Sequence, residues 1–399
     1  MVELMIVPDL KLESTITYAT KAKQYKKIYK DFIDLTLGEP DFKTPQPIID
    51  ALNDALEKGY TRYAPAQGYE ELRKAIAQLE EKRLGISLSP SQILVTPGAK
   101  TAIFLAFLLA TLSKKCQNIV TTDPYYYQYV NLARMFGLQV RLSKLIATSD
   151  GGFQLNVADF IEKMGEQTCL AIVNTPHNPA ALKIKLNEFE EIVNQAKKFN
   201  VLLVSDEVYA DYVFEGKHVS LLHVSGWEDI GVYVNSFSKT FAMTGWRLGY
   251  LVANSKLISL LRSFAANIYT SPTSFVQIAA IKAVEIYDDI RQMILTTFHE
   301  RKSLVEELSQ QTFGLRPVRL EGGMFAFIML SEEILSKIGS SDEYADYLLE
   351  KAHIALTPGM IFSKAYGRQA LRLSLATHTE AIREAFRRLE EANKMLLES

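Results

Sequence analysis

The chain has 399 residues, 48% hydrophobic and 23% charged, enough to bury a large core and a second, smaller one. A formal net charge of −2 excludes the overall cationic bias that draws proteins to nucleic acid or anionic membranes, and leaves small-molecule chemistry as the expectation. No run approaches the roughly 18 apolar residues of a membrane span, and Met1 to Leu12 carries no long apolar core behind a basic segment, so a cytoplasmic protein without a membrane partner is expected.

Taken in chain order, Pro45 to Lys58 and Tyr69 to Leu84 place leucine, isoleucine and alanine at spacings of three and four, which predicts two amphipathic helices. An alternating block follows. Apolar runs at Ile93 to Thr96, Asn118 to Thr121, Leu170 to Asn174, Val201 to Ser205, Val232 to Asn235 and Tyr250 to Ala253 predict buried strands. Between them, Ala99 to Leu112, Tyr127 to Phe136, Val157 to Met164, Asn187 to Phe199 and Ser255 to Asn267 have helical spacing. Strands alternating with helices predict an α/β fold with a mostly parallel sheet covered on both faces.

The texture then changes. A long helical stretch from Phe275 to about Gln310 leads into short strands at Arg316 to Leu320, Met324 to Met329 and Leu371 to Leu375, and a last helix at Thr379 to Leu397. This predicts a smaller α+β domain from residue 283 to 399, a large domain at 45–282, and an N-terminal segment, 1–44, contributing to the small one. Cys116 and Cys169 are far apart and lack a Cys-x-x-Cys or histidine partner pattern, so they read as buried thiols in a reduced compartment, with no metal site.

The stretch Ser236-Phe237-Ser238-Lys239-Thr240 to Gly245-Trp246-Arg247 follows an apolar strand and sets a lysine and an arginine at fixed spacing. Crowded by a second cation and by walls of low polarity, a lysine can be held neutral enough to attack an aldehyde. Pyridoxal 5'-phosphate offers such an aldehyde, with a phosphate that needs cations of its own.

Ligands in open α/β sheets bind outside the carboxyl ends of the strands, where several polar groups here fall. The run Val201 to Val204 ends in Ser205-Asp206-Glu207-Val208-Tyr209, presenting a carboxylate suited to a protonated ring nitrogen and a tyrosine suited to a ring oxygen. Asn174-Thr175-Pro176-His177-Asn178-Pro179 closes another strand, and the Asn178 amide could donate to the same oxygen. His177 reads as structural rather than as the base, which Lys239 fits better. Thr96-Pro97-Gly98-Ala99-Lys100 joins a strand to a helix whose first amides face an anion. Asp123-Pro124-Tyr125-Tyr126-Tyr127 offers a flat ring, although Tyr125 and Tyr127 read equally well as core. Arg372 lies inside an alternating strand, where a bidentate grip on a substrate carboxylate would resolve the cost of a buried charge.

In this order the residues resemble the class I/II pyridoxal-phosphate-dependent aminotransferases, in particular the aspartate aminotransferase group, over nearly the whole chain. The opening pattern stands as Leu35-Thr36-Leu37-Gly38-Glu39-Pro40-Asp41-Phe42, the tyrosine loop as Tyr63-Ala64-Pro65-Ala66-Gln67-Gly68, and the lysine segment as quoted above. The resemblance implies a pyridoxal-phosphate-dependent transferase-like fold with a seven-stranded sheet. It implies that Lys239 forms the Schiff base, Asp206 pairs with the pyridine nitrogen, Asn178 and Tyr209 bind the ring oxygen and Tyr126 stacks on the ring. It also puts Gly98, Ala99, Lys100, Ser236, Ser238 and Arg247 around the phosphate, and gives Arg372, with Gly38, the substrate α-carboxylate. Tyr63 would reach the phosphate of a neighbouring subunit in a homodimer. The implied activity moves an amino group between an L-amino acid and a 2-oxo acid by a ping-pong route, with aspartate and 2-oxoglutarate as a candidate pair. A C–S β-lyase, a cyclising synthase or a decarboxylase could use the same cradle, and a non-catalytic cofactor sensor is a remote alternative. One departure stands out: where the family usually has Asn-Pro-Thr-Gly, this chain has Asn178-Pro179-Ala180-Ala181.

Overall fold

The computed structural model describes residue 12, residues 14–113 and residues 115–398. The remainder of the expected N-terminal segment, residues 1–11 and 13, lies outside the described residues.

Seven strands make the central sheet: β1 (Ile93–Thr96), β2 (Asn118–Asp123), β3 (Gln139–Lys144), β4 (Thr168–Asn174), β5 (Leu202–Asp206), β6 (Gly231–Ser236) and β7 (Gly249–Val252). Their spatial order is β1-β7-β6-β5-β4-β2-β3. Every neighbouring pair is parallel except those of β7, which runs against both β1 and β6.

The continuous apolar runs have a direct cause. Alternate residues point to opposite faces, and both faces are covered. Val95, Val120, Ala171, Val173, Leu203 and Val252 feed one core, while Leu94, Ile119, Leu170, Ile172, Val204 and Leu251 feed the other. The second core is closed by helix Ala99–Ser113 through Ala102, Ile103 and Phe107, and by helix Ser255–Ile268 through Ile258 and Leu261. At about 1.5–3 kcal/mol for each large apolar side chain removed from water, these two layers hold the sheet in place beneath its rim of strand ends. Strand β3 was not anticipated from the sequence because, unlike the covered edge strand β1, most of its side chains are exposed or half-buried, so it lacks an apolar run.

A second, three-stranded antiparallel sheet pairs Phe325–Met329 with Ala370–Ser374, which also pairs with Thr357–Pro358. Phe325, Phe327, Leu371 and Leu373 join the core on one face of the central sheet, so the two sheets share packing. Ile33–Asp34 pairs in parallel with Ile354–Ala355, and Arg301 grips Asp41 at 2.7 Å. Among the described residues no helix is long and apolar enough to cross a membrane.

Three expectations need correction. The stretch from Phe275 to Gln310 is two helices, Ser274–Glu285 and Tyr287–Gln311, broken at Ile286, whose ψ of 18° leaves the helical range. Arg316 to Leu320 forms no strand: the amides of Val318 and Leu320 bond to Ser309 Oγ and Glu306 Oε1 of the preceding helix instead of to a neighbouring strand. Cys116 and Cys169 are a disulfide with Cα atoms 5.3 Å apart, not free thiols. Parallel pairing of β2 with β4, which sets Asn118 opposite Thr168, brings them together across 53 residues, and the argument from free thiols to a reduced compartment falls with it.

Candidate active site

The carboxyl ends of β1, β4, β5 and β6 open on one rim, and the antiparallel β7 begins there, with Gly249 opposite both Thr96 and Ser236. A cavity of about 440 Å³ lies at this rim, bounded by Gly38, Tyr126, Asn178, Asp206, Lys239 and Arg372 among others.

Lys239 sits in the short helix Phe237–Thr240 that follows β6 directly, started by Ser236, whose Oγ accepts from the Ser238 amide at 3.0 Å. Its Nζ donates to the Gly38 carbonyl and lies 5.9 Å from the centre of the Tyr209 ring. Burial, with Arg372 adding to it, brings the Lys239 ammonium down to about 8 from its ordinary value near 10.5. The backbone beneath is fixed twice. Tyr212 Oη donates to the Lys239 carbonyl at 2.9 Å, and Thr240 Oγ1 donates at 2.6 Å to Asp211, which Arg83 holds with two bonds. Arg83, Asp211 and Glu80 are all buried, so this is a paired charge cluster behind the site.

Asp206, the last residue of β5, is 4% exposed. Tyr129 Oη donates to its Oδ2 at 2.6 Å, yet burial outweighs that bond and lifts the carboxyl to about 6. Asn174, at the end of β4, donates to the Asp206 carbonyl at 2.8 Å and accepts from the Asn178 amide at 2.6 Å, tying two strand ends together. Tyr209 is buried, which holds its phenol protonated.

Arg372, 4% exposed, lies between the rings of Phe325 and Phe362 at 4.1 and 4.6 Å. Its Nη2 donates to Thr36 O at 3.1 Å and its Nη1 to Asn178 Oδ1 at 3.4 Å, while Nε is buried without a partner. Burial brings its guanidinium down to about 10. A buried cation with spare donors at a cavity wall is suited to a carboxylate.

Opposite lies a turn built for an anion. Gly98 has φ +84°, and a Cβ there would run into Arg247 Nη2. Arg247, itself at φ +57°, donates from Nη1 to Thr244 O at 2.6 Å, which holds its guanidinium across the first turn of helix Ala99–Ser113. Ser236 and Ser238 face the same space, joined by an Oγ–Oγ bond of 2.9 Å. Gly249 allows the close approach: a Cβ on it would lie 2.7 Å from the Ala99 amide nitrogen.

The structure therefore gathers Gly38, Ala99, Lys100, Tyr126, Asn178, Asp206, Tyr209, Ser236, Ser238, Lys239, Arg247 and Arg372 around one cavity, with Gly98 immediately behind Arg247. Tyr63 is not among them and is 88% exposed. His177 is buried with its pKa down to about 3: its Nδ1 accepts from the Ala180 amide and its Nε2 faces Thr122 Oγ1 at 2.9 Å, so it is a neutral structural histidine. Tyr125 and Tyr127 are buried in the fold. The sequence left several supports unseen. Tyr129 shares a helical face with Tyr126, a signal of spacing that could have found it, whereas Thr36, Phe325 and Phe362 reach Arg372 only through tertiary contact.

The family described as Aminotransferase class I and II matches residues 30–389. The chain is 35% identical over 389 residues to the aspartate aminotransferase of Sulfolobus acidocaldarius, covering 97% of this chain and 96% of that protein. It is 32% identical over 370 residues to aromatic-amino-acid aminotransferase 2 of Thermococcus litoralis, covering 91% and 92%. The crystal structure of aspartate aminotransferase from Thermotoga maritima superposes with a TM-score of 0.86 at 32% identity, covering 96% of this chain and 97% of that one.

Proposed function

Because the chain belongs to the class I and II aminotransferases, whose cofactor is pyridoxal 5'-phosphate, we propose that it moves amino groups between acidic L-amino acids and 2-oxo acids, aspartate and 2-oxoglutarate first among them. One observation supports the acidic substrate: five cationic side chains, Lys23, Lys100, Lys239, Arg247 and Arg372, line the cavity against two carboxylates, Glu39 and Asp206. With Arg247 and Lys100 given to the phosphate, Arg372 to the α-carboxylate and Lys239 to the amine, Lys23 is left to face a second carboxylate.

The residues present suit the cofactor. Gly98 lets the Arg247 guanidinium lie against the backbone, and two hydroxyls and the first turn of helix Ala99–Ser113 border the same cavity, which fits a phosphate. At the other end the buried carboxyl of Asp206 awaits a cationic partner and would hold the ring nitrogen. Tyr126 would lie against the ring, and Asn178 and Tyr209 would serve its oxygen. When bound, the cofactor supplies an aldehyde for the substrate amine and an electron sink for the pair left as the Cα proton departs.

The chain's own groups do the rest. Arg372, clamped between two rings and bonded to Thr36 O, orients the substrate by its α-carboxylate. Lys239 Nζ, with a pKa brought to about 8, takes the proton from Cα and returns it later, so one amine serves as base and then acid. Tyr212 and Thr240 keep that amine from drifting by anchoring the backbone beneath it.

The same reading includes a homodimer, supported by the 88% exposure of Tyr63 within its motif, and a division into 1–44, 45–282 and 283–399, supported by the pairing of Ile33–Asp34 with Ile354–Ala355. Mixing the cofactor-loaded protein with single amino acids, without an oxo acid, tests the reading. Aspartate and glutamate should convert the cofactor to its amine form and release the matching oxo acid. Release of ammonia, sulfide or carbon dioxide instead would point to a lyase or decarboxylase on this cradle.

A further inference from the structure

Helix Ile16–Ile28 meets the rest of the protein on two faces. With one it docks on helix Ser341–Lys351: Tyr18 Oη donates to Asp342 Oδ1 at 3.1 Å, Lys21 Nζ pairs with Asp346 at 2.6 Å, and Ala22 is buried in a cluster with Leu349 and Ala355. With the other, Thr15, Ala19 and Lys23, each four residues apart, line the cavity. Docking of the first face fixes the direction of the second, so Lys23 points into the site because of where its helix is held.

Lys23 is also the cavity cation left without a task. Arg372 is assigned to the α-carboxylate, Lys239 to the amine, and Arg247 with Lys100 to the phosphate. Among the described residues Lys23 has no ion-pair partner. A substrate gripped at its α-carboxylate and its amine has only its side chain left to reach the wall that this helix forms.

We propose that Lys23 binds the side-chain carboxylate of the amino acid and so sets the preference for acidic over neutral substrates. The inference rests on the acidic-substrate reading above. An ammonium at a solvated rim attracts a carboxylate without a fixed fork geometry, so it discriminates by charge rather than by chain length.

The test is steady-state kinetics of the cofactor-loaded enzyme with L-aspartate and L-alanine, against one 2-oxo acid, at low ionic strength. The ratio of kcat/KM for aspartate to that for alanine should fall about tenfold in Lys23→Gln, mainly through the KM for aspartate. It should fall further in Lys23→Glu, be retained in Lys23→Arg, and decline in the unmodified enzyme as salt is added. A ratio unchanged in both Lys23→Gln and Lys23→Glu, or an equal fall for both amino acids as expected if Lys23 only balances Glu39, overturns the assignment while leaving the acidic-substrate reading in place. An unmodified enzyme that does not favour aspartate overturns both.

Discussion

At the scale of single residues, two buried ionisable groups carry the strongest expectations. Lys239→Ala should remove turnover while leaving the fold intact, measured by the half-reaction with aspartate and by circular dichroism. In the cofactor-free protein its amine titrates near pH 8, so reconstitution with pyridoxal phosphate should quicken about tenfold per pH unit below 8 and level off above it. Asp206 has the opposite consequence for stability. Its carboxyl is lifted to about 6 from about 3.9 in an unfolded chain, so the folded state binds its proton more tightly. Stability of the cofactor-free protein therefore falls as pH rises from 4 to 6, and the full cost, about 1–3 kcal/mol, is present above 6. Asp206→Asn should raise the melting temperature of the cofactor-free protein at pH 7.5 while weakening retention of the cofactor. A lower melting temperature would show that the carboxylate is not held at a cost. Arg372→Ala should lower kcat/KM for every amino acid by about 2–4 kcal/mol, because the group that orients Cα is lost.

Among elements, two turns decide how well the rim is held. Gly98→Ala puts a Cβ against Arg247 in a left-handed backbone, and should cost about 1–2 kcal/mol in strain alone together with a clear loss of cofactor affinity, read by fluorescence titration. Ala181 is the reverse case. It stands at φ +57° where the family usually has glycine, its amide bonded to the His177 carbonyl at 2.8 Å. Ala181→Gly exchanges left-handed strain for a more flexible unfolded chain, so thermal unfolding should shift by less than about 1 kcal/mol in either direction. The elements also show what a sequence makes legible. Strand β1, Ile93–Thr96, and helix Ser255–Ile268 announce themselves because both are defined by local apolar spacing. Strand β3 does not, because an exposed edge leaves no apolar run, and Arg316 to Leu320 has the pattern of a strand that does not form because the amides of Val318 and Leu320 bond to side chains of the helix before it. In the site, Lys239, Asp206 and Asn178 are legible as polar residues at strand ends, whereas Tyr129 and Phe362 acquire their roles only when the strands are assembled.

At the scale of the molecule, the disulfide Cys116–Cys169 closes a 53-residue loop across β2 and β4. Reduction, or Cys116→Ser with Cys169→Ser, should cost about 2–4 kcal/mol of stability without changing kcat, because the link lies before β2 and at the start of β4, away from the rim where the cavity opens. Sedimentation should show a dimer, and Tyr63→Phe should loosen the cofactor although this side chain touches nothing of the cavity within its own chain.

The reversed strand β7 has an effect on how the catalytic equipment is supplied. Because it runs against β6, the chain leaves the sheet after Ser236, carries Lys239 over the top, brings Arg247 to the same side eight residues further on, and re-enters at Gly249. In the proposed mechanism the covalent anchor and the anion clamp would thus be the two prongs of a single staple, backed by Gly249. Lengthening the bridge between them by one residue would move one prong while the sheet kept the other in place, so an insertion here should cost activity.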